Sequence, residues 1–376
     1  MPHILYLAHD LDDAAIWRRV AMLRLGGASV EIAGFRRGGA PLPEPARVLG
    51  RTANARMGRR IASVAKAWIA RAAAGGACDA IIARNLEMLA LAVPAARRRG
   101  RDGAAPRVVY EVLDVHRLML RGDLVGRALR AMERRLCRSV DLLLVSSPAF
   151  LSRHFERYYP SPPPALLVEN KVMAETEAPA PGMRPAGGPV TIGWFGILRC
   201  PFSLSCLDRV TRATPGRYRV ILRGRPAYDS LPDFDAVVKA NDDLAFGGAY
   251  RYPDDLSEIY GAVDLAWLVD RYDAGENSDW LLPNRLYESG RSRVPPICLA
   301  GTEVARKAAA LGIGVELEAP SVAAAREALD GMDPARLARL RGAMGSVPGA
   351  AFSTDAAECR ALVEAIVGAG ARRGAA

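Results

Sequence analysis

The sequence predicts an α/β protein made of two successive halves, each a doubly wound parallel sheet. Apolar runs of strand length alternate with helix-length patterns along most of the chain, the sign of parallel strands joined by helices. The alternation lapses over 159–189, which holds eight of the 26 prolines, and then restarts. At 376 residues the chain also exceeds one ordinary core.

In the first half HILYLAH (3–9) reads as a strand, followed by a helix from about Asp12 to Leu25. SVEIAGF (29–35), DAIIAR (79–84) and RVVYEVLD (107–114) are further strands, and a helix near 124–138 leads to DLLLVSS (141–147). ALLVENKV adds one strand inside the proline-rich connection. The second half runs VTIGWFG (190–196), a helix near 203–213, YRVILRG (218–224), LAFGGAY (244–250), a helix near 253–261 and VDLAWLVD (263–270). WLLPNRLYESG (280–290) follows, its helix expected to begin at Pro283, because proline suits a first helical turn. PPICLAG (295–301), a helix near 302–311 and GVELE (314–318) come next. A last helix near 355–368 could pack on either half. The expected domains are 1–165 and 166–350, with 351–376 as a C-terminal helix and tail.

Half the residues are hydrophobic and 24% charged, and no apolar run reaches a membrane span of about 20 residues. The start MPHILYLAHDL lacks the basic region and cleavage site of a secretory signal. Six scattered cysteines without a C-x-x-C pair and four histidines make a structural zinc site a poor fit and suit a reduced, cytoplasmic setting. Residues 1–188 hold 29 Lys+Arg against 17 Asp+Glu, and 189–376 hold 22 against 24. The net charge of +10 therefore resides in the first half, which suggests an anionic partner.

Three arginine-bearing stretches follow predicted strands of the second half, where open α/β sheets bind ligands. In IGWFGILR, Gly193 and Gly196 permit close backbone approach and Arg199 follows; in VILRGRP, Arg223 and Arg225 flank Gly224. The third is PNRLYE, where a helix N-terminus and Arg285 favour a phosphate and Glu288, one turn on, suits sugar hydroxyls. Alone, the PNRLYE stretch reads equally as a capped surface helix, and a single arginine loop reads more often as a solvated loop; together they form a candidate pyrophosphate cradle. Asp270, Asp273, Glu276 and Asn277 make a polar loop just before it, with Asn277 a candidate sugar contact.

The second half resembles the nucleotide-sugar half of GT-B glycosyltransferases, in which a P-N-K/R-L-x-E segment precedes G-x-P-V-I. Here the residues are Pro283, Asn284, Arg285, Leu286, Tyr287 and Glu288, then Arg293, Val294, Pro295, Pro296 and Ile297. The resemblance implies two Rossmann-like domains facing across a cleft, an acceptor-binding N-terminal one and a nucleotide-sugar-binding C-terminal one. It also implies that Arg285 contacts the diphosphate and Glu288 the ribose. Arg293 stands where glycine is usual, and Trp280 stands eight residues before Glu288, where retaining relatives carry Glu; the second departure favours inversion. Over residues 3 to 300, AHDLDDAAIWRRV, YEVLDVHRLML, SSPAF, LVENKV, GWFGILR, YRYPDDL and NSDWLLPNRLYESG resemble the succinoglycan-type exopolysaccharide glycosyltransferases. That family implies a hexosyltransferase using UDP-glucose or a similar donor. Its acceptor would be a polyprenyl-diphosphate-linked saccharide at the inner face of the cytoplasmic membrane.

An inverting transfer needs a base on the acceptor hydroxyl. Candidates at strand ends of the first half are Asp10, Asp12 and Asp13, and Glu111, Asp114 and His116. Asp114 is the first choice, with His116 orienting it or holding sugar hydroxyls. Asp12 reads equally as a helix N-cap, and Glu111 better as a structural partner of an arginine. Asp13, Arg84 and Asn85 could line the acceptor side. The expected donor contacts are Gly196, Arg199, Arg223, Asn277, Asn284, Arg285 and Glu288, with no metal and no cofactor beyond the donor itself. Over 47–71, Met57, Ile61, Val64 and Trp68 form an apolar stripe among arginines, a helix that could pack on the sheet or lie on anionic lipid through the basic half. A nucleic-acid partner is disfavoured by the absence of recognition motifs and by 6% aromatic residues. A non-catalytic relative that holds a sugar nucleotide or glycan, or a basic nucleic-acid-binding protein, is the alternative to an enzyme.

Overall fold

The computed structural model describes residues 1–39, 41–51, 76–97, 105–174 and 188–368. The chain divides into two compact units, Met1–Glu169 with Asp355–Ala376, and Asn170–Thr354. In the first unit β1 (His3–Ala8), β2 (Ser29–Arg36), β3 (Arg47–Arg51), β4 (Ala80–Arg84), β5 (Arg107–Val112), β6 (Leu142–Val145) and β7 (Ala165–Leu167) form one sheet. Its order is β3-β2-β1-β4-β5-β6-β7, and every pairing is parallel. Strands covered by helices on both faces read as unbroken apolar runs; accordingly Ile4 to Ala8 and Leu142 to Val145 are buried throughout.

The second unit repeats the plan with β9 (Val190–Leu198), β10 (Tyr218–Pro226), β11 (Leu244–Phe246), β12 (Leu265–Trp267), β13 (Pro296–Leu299) and β14 (Val315–Leu317). The order is β11-β10-β9-β12-β13-β14, again all parallel. Strands β8 (Val172–Met173) and β15 (Ser353–Thr354), where the chain enters and leaves this unit, pair with each other. Both large sheets reverse direction of winding beside their first strand, between β1 and β4 and between β9 and β12. Each reversal opens a crevice at the carboxyl ends of the strands.

Helix starts follow side-chain capping: Asp13, Asp123, Thr302 and Asp355 each accept a backbone N–H of the turn they begin. The last helix, Ala356–Val367, packs on the first unit. Arg107 donates to the carbonyls of Ala365 (2.7 Å) and Ile366 (3.0 Å), and a Cβ on Gly26 would lie 2.3 Å from the carbonyl oxygen of Cys359. None of the six cysteines is in a disulfide, and all are buried.

Three expectations change. Residues Arg47–Arg51 form the edge strand β3 rather than the start of a basic helix, and Met57, Ile61, Val64 and Trp68 lie outside the described residues. ALLVENKV is two short strands, β7 in the first unit and β8 in the second, because the chain passes between units at Glu169 and Asn170. Pro283 is the N-cap, and the helix itself spans Asn284–Arg291.

Candidate functional site

The second sheet's carboxyl edge is lined by backbone. Gly196 of β9 has φ +100° and faces Gly224 of β10 with φ +135°, a region that side chains rarely adopt. A Cβ on Gly224 would stand 1.8 Å from the carbonyl oxygen of Gly196, so the two strand ends touch without side chains between them. The Gly224 N–H donates to Gly248 beyond β11 at 2.8 Å, which extends this glycine shelf over three strands. Arg223 lies along it, its stem against Gly247, and reaches the carbonyl of Ala249 at 3.4 Å and the exposed Glu258 at 3.6 Å.

Arg199, at the end of β9, sits 3.0 Å from Asp270 and lies over the ring of Tyr272 at 4.8 Å. Its charge is balanced by Asp270, so it ties the two loops that flank the reversal point. Arg285 is different. It donates at 3.5 Å to the carbonyl of Trp267, the last residue of β12, and forms no ion pair among the described residues. Asn284, beside it, begins the helix. Glu288, one turn on, is buried and accepts a hydrogen bond from Tyr260 at 3.0 Å. Asn277 is buried at the start of the short Asn277–Trp280 helix. Tyr250, which carried no expected role, approaches this group: a Cβ on Gly196 would be 4.0 Å from its hydroxyl. Burial, then the Glu288 carboxylate, pushes that hydroxyl well above the usual tyrosine range. The YRYPDDL stretch was the available signal for it.

The first sheet's edge is filled by its own charges. Arg84, expected on the acceptor side, is instead buried. It donates to the Tyr6 hydroxyl (3.1 Å), the carbonyl of Ala15 (3.3 Å) and Asp13 (3.2 Å). Glu111 accepts from Arg19 at 2.6 Å and from the Tyr6 hydroxyl at 2.5 Å, the structural pairing anticipated for it. Burial works to raise the Glu111 pKa, but Arg19 and Arg84 outweigh it and hold the carboxyl below the usual range. Asp13, not Asp12, caps the Ala14–Leu25 helix. Asp12 instead accepts from Arg36 (2.7 Å) and from the backbone of Arg37 (2.9 Å) and Gly38 (2.8 Å). The Arg36 hydrogen bond leads in holding its carboxyl at about 2. So acidic a group takes a proton poorly at neutral pH, which argues against Asp12 as the base.

Asp10 behaves in the opposite way. It is buried just beyond β1, 3.2 Å from Arg37, and burial raises its pKa above the ordinary aspartate value. Asp114 lies exposed in the loop after β5, and His116 accepts from the N–H of Leu118 at 3.2 Å as the cap of the Arg117–Leu120 turn. Asn85, beyond β4, adopts φ +70°, and its buried side-chain oxygen has no partner among the described residues. Strain and an unmet acceptor at a sheet reversal are what a ligand contact would look like. Among the described residues no group of three or more His, Cys, Asp or Glu is arranged to hold a metal ion. No described helix is long and apolar enough to cross a membrane.

No family model matches the chain. It is 44% identical over 378 residues to the succinoglycan biosynthesis protein ExoL of Rhizobium meliloti (strain 1021), covering 96% of this chain and 93% of that one. The chain belongs to the ExoL family. Its fold is shared with sucrose-phosphate synthase from Thermosynechococcus elongatus at TM-score 0.68 and 14% identity, over 99% of this chain and 96% of that one. Anabaena HepE, solved with UDP-glucose, gives TM-score 0.68 and 14% identity over 96% and 98% of the two chains. WaaG, a glycosyltransferase of lipopolysaccharide biosynthesis, gives 0.67 and 13% over 97% and 100%. The shared architecture is the GT-B fold, and this ExoL family member carries it along nearly its whole length.

Proposed function

We propose that the chain is a glycosyltransferase of exopolysaccharide assembly that moves a hexose from a UDP-sugar to a lipid-linked saccharide, with inversion and without a metal. The observation that carries the donor half of this reading is the pairing of a bare glycine shelf with Arg285, a cation without an acidic partner among the described residues. Backbone N–H groups, a helix N-terminus and a guanidinium can hold a diphosphate where another site would use a cation. Glu288, one turn along, suits the ribose hydroxyls. The family name of the 44% relative and the UDP-glucose held by HepE point the same way.

The first unit supplies the acceptor contacts, with Asn85 among them, and the base. Asp114 and Asp10 are the two carboxylates for that role: one open to a bulky acceptor, the other already biased by burial toward taking a proton. Trp280, in place of the glutamate of retaining relatives, supports inversion. In this reading the enzyme acts on its lipid-borne acceptor at the inner face of the cytoplasmic membrane.

A thermal-shift screen of UDP-, GDP- and TDP-sugars on the wild type and on Arg285→Ala tests the donor site. A UDP-sugar should raise the midpoint of the wild type and have little effect on the variant. Equal responses, or none from any nucleotide, would sink the assignment. Asp10→Asn and Asp114→Asn then separate the bases: the true one abolishes transfer and leaves UDP affinity unchanged.

A further inference from the structure

We infer that the solvent face of the Leu124–Cys137 helix docks on a bilayer carrying anionic headgroups. The inference rests on the reading of a lipid-borne acceptor for its purpose, and on this helix for its argument.

An ordinary surface helix buries apolar residues and displays polar ones; this one buries a charge beside Gly126 and Cys137 and leaves large apolar residues outside. Its inner side carries Glu133, buried and hydrogen-bonded by Tyr110 and His154, each at 2.7 Å, and by Tyr159. Its outer side displays Leu124 at 73% exposure, Val125 at 49% and Met132 at 42%. With Ala128, also exposed, these positions fall on one stripe at helical spacing. Leaving three large apolar side chains in water along one stripe is costly unless something covers them. Lone exposed apolar residues elsewhere, such as Val48 and Leu167 on β3 and β7, form no such row.

Charge identifies the cover. Arg127, Arg134 and Arg138 follow one edge of the stripe at spacings of seven and four, and Arg135 closes its C-terminal end. All four are exposed, and none has a side-chain hydrogen bond or ion pair among the described residues. Arg130 is excluded from this set, because it holds the carbonyls of Met119 and Arg121 and lies over Tyr158. Arg134 and Arg138 also line a cavity of about 310 Å³ with Cys137 and Tyr159, roomy enough for a headgroup phosphate. Apolar side chains entering the acyl boundary beside arginines at phosphate depth match a helix lying in the bilayer interface.

The test uses the full chain without donor, so its failure is separate from failure of the donor site. Vesicles of phosphatidylcholine alone are compared with vesicles that also contain phosphatidylglycerol. The protein should sediment with the anionic vesicles and be released by salt. Leu124→Ser with Met132→Ser, and separately Arg134→Glu with Arg135→Glu, should weaken binding by about tenfold or more with unfolding midpoints unchanged. Because the native cysteines are buried, a polarity-sensitive dye can be placed at Leu124→Cys and, as a control, at the exposed Glu327→Cys. Only the first should shift to the blue on anionic vesicles. No binding by the wild type, equal binding by the variants or equal dye shifts would overturn the inference. So would a wild-type dimer that the Leu124→Ser, Met132→Ser variant dissolves, since the stripe would then belong to a second copy.

Discussion

At the reversal point of the first sheet the strand ends are bound to one another by the chain's own charges. At that of the second they present glycine backbone and Arg285. The winding is the same, yet Arg84, Glu111, Arg19 and Asp13 neutralise each other in one, while in the other Arg199 pairs with Asp270 and Arg223 with the exposed Glu258, and Arg285 forms no ion pair among the described residues. The lesson is that topology supplies a crevice twice, and side-chain pairing decides what each crevice can take. On the proposed function, the edge whose charges are already matched takes the neutral sugar of the acceptor. On the same proposal, the glycine shelf beside Arg285, which forms no ion pair among the described residues, takes the diphosphate.

The comparison is tested most severely at Glu111. Glu111→Ala leaves Arg19 buried without its carboxylate and Arg84 with Asp13 alone, and chemical denaturation should show a loss of roughly 3–5 kcal/mol. A loss confined to activity would mean that this cluster is a site and not a strut. Gly224→Ala forces a Cβ into the Gly196 carbonyl at a positive φ; about 2–3 kcal/mol should be lost, together with the UDP-dependent thermal shift. Arg285→Ala should invert that pattern, weakening UDP affinity by roughly 10- to 100-fold in calorimetry while stability moves by less than about 0.5 kcal/mol.

Acid separates Asp12 from Asp10. The Asp12 pKa is lowered to about 2, so its contribution is present above the ordinary aspartate value of about 3.9 and is lost as pH falls through the folded value. The group is near the surface, and the effect should stay under about 1 kcal/mol. Asp12→Asn should flatten that part of the stability curve. Asp10, raised by burial, acts with the opposite sign: its ionisation costs stability as pH rises through the ordinary aspartate value, and Asp10→Asn should remove that slope. The smallest effect is expected at Arg293, which is exposed and holds φ +55°. Arg293→Gly should gain about 0.5–1 kcal/mol in thermal unfolding.

Much of the fold was legible because parallel strands announce themselves as apolar runs, and the order of strands and helices followed from them. The edge strand β3 was not legible, since RVLGR is charged, half exposed and without alternation. The Arg293 position was half legible: the departure from glycine was visible, and the left-handed backbone that explains the glycine was not. Arg84 could be placed at a strand end, but in a strand buried on both faces no periodicity says which way a side chain is held. The cap fell to Asp13 and not to Asp12 because a cap is decided by one residue of backbone geometry. Pairings such as Arg199 with Asp270, 71 positions apart, lie beyond any local pattern.

The return of the Ala356–Val367 helix to the first unit has a consequence for how the molecule is made. That helix contributes Cys359, Leu362, Val363 and Ile366 to the core of a unit whose other residues end at Glu169. Domains emerging from the ribosome ordinarily finish in the order in which they are translated. Here the first sheet must wait, with the groove beside the Ala14–Leu25 helix uncovered, until the whole second unit has been synthesised. The part begun first is completed last, and a nascent chain stalled anywhere before residue 355 carries an unfinished N-terminal half.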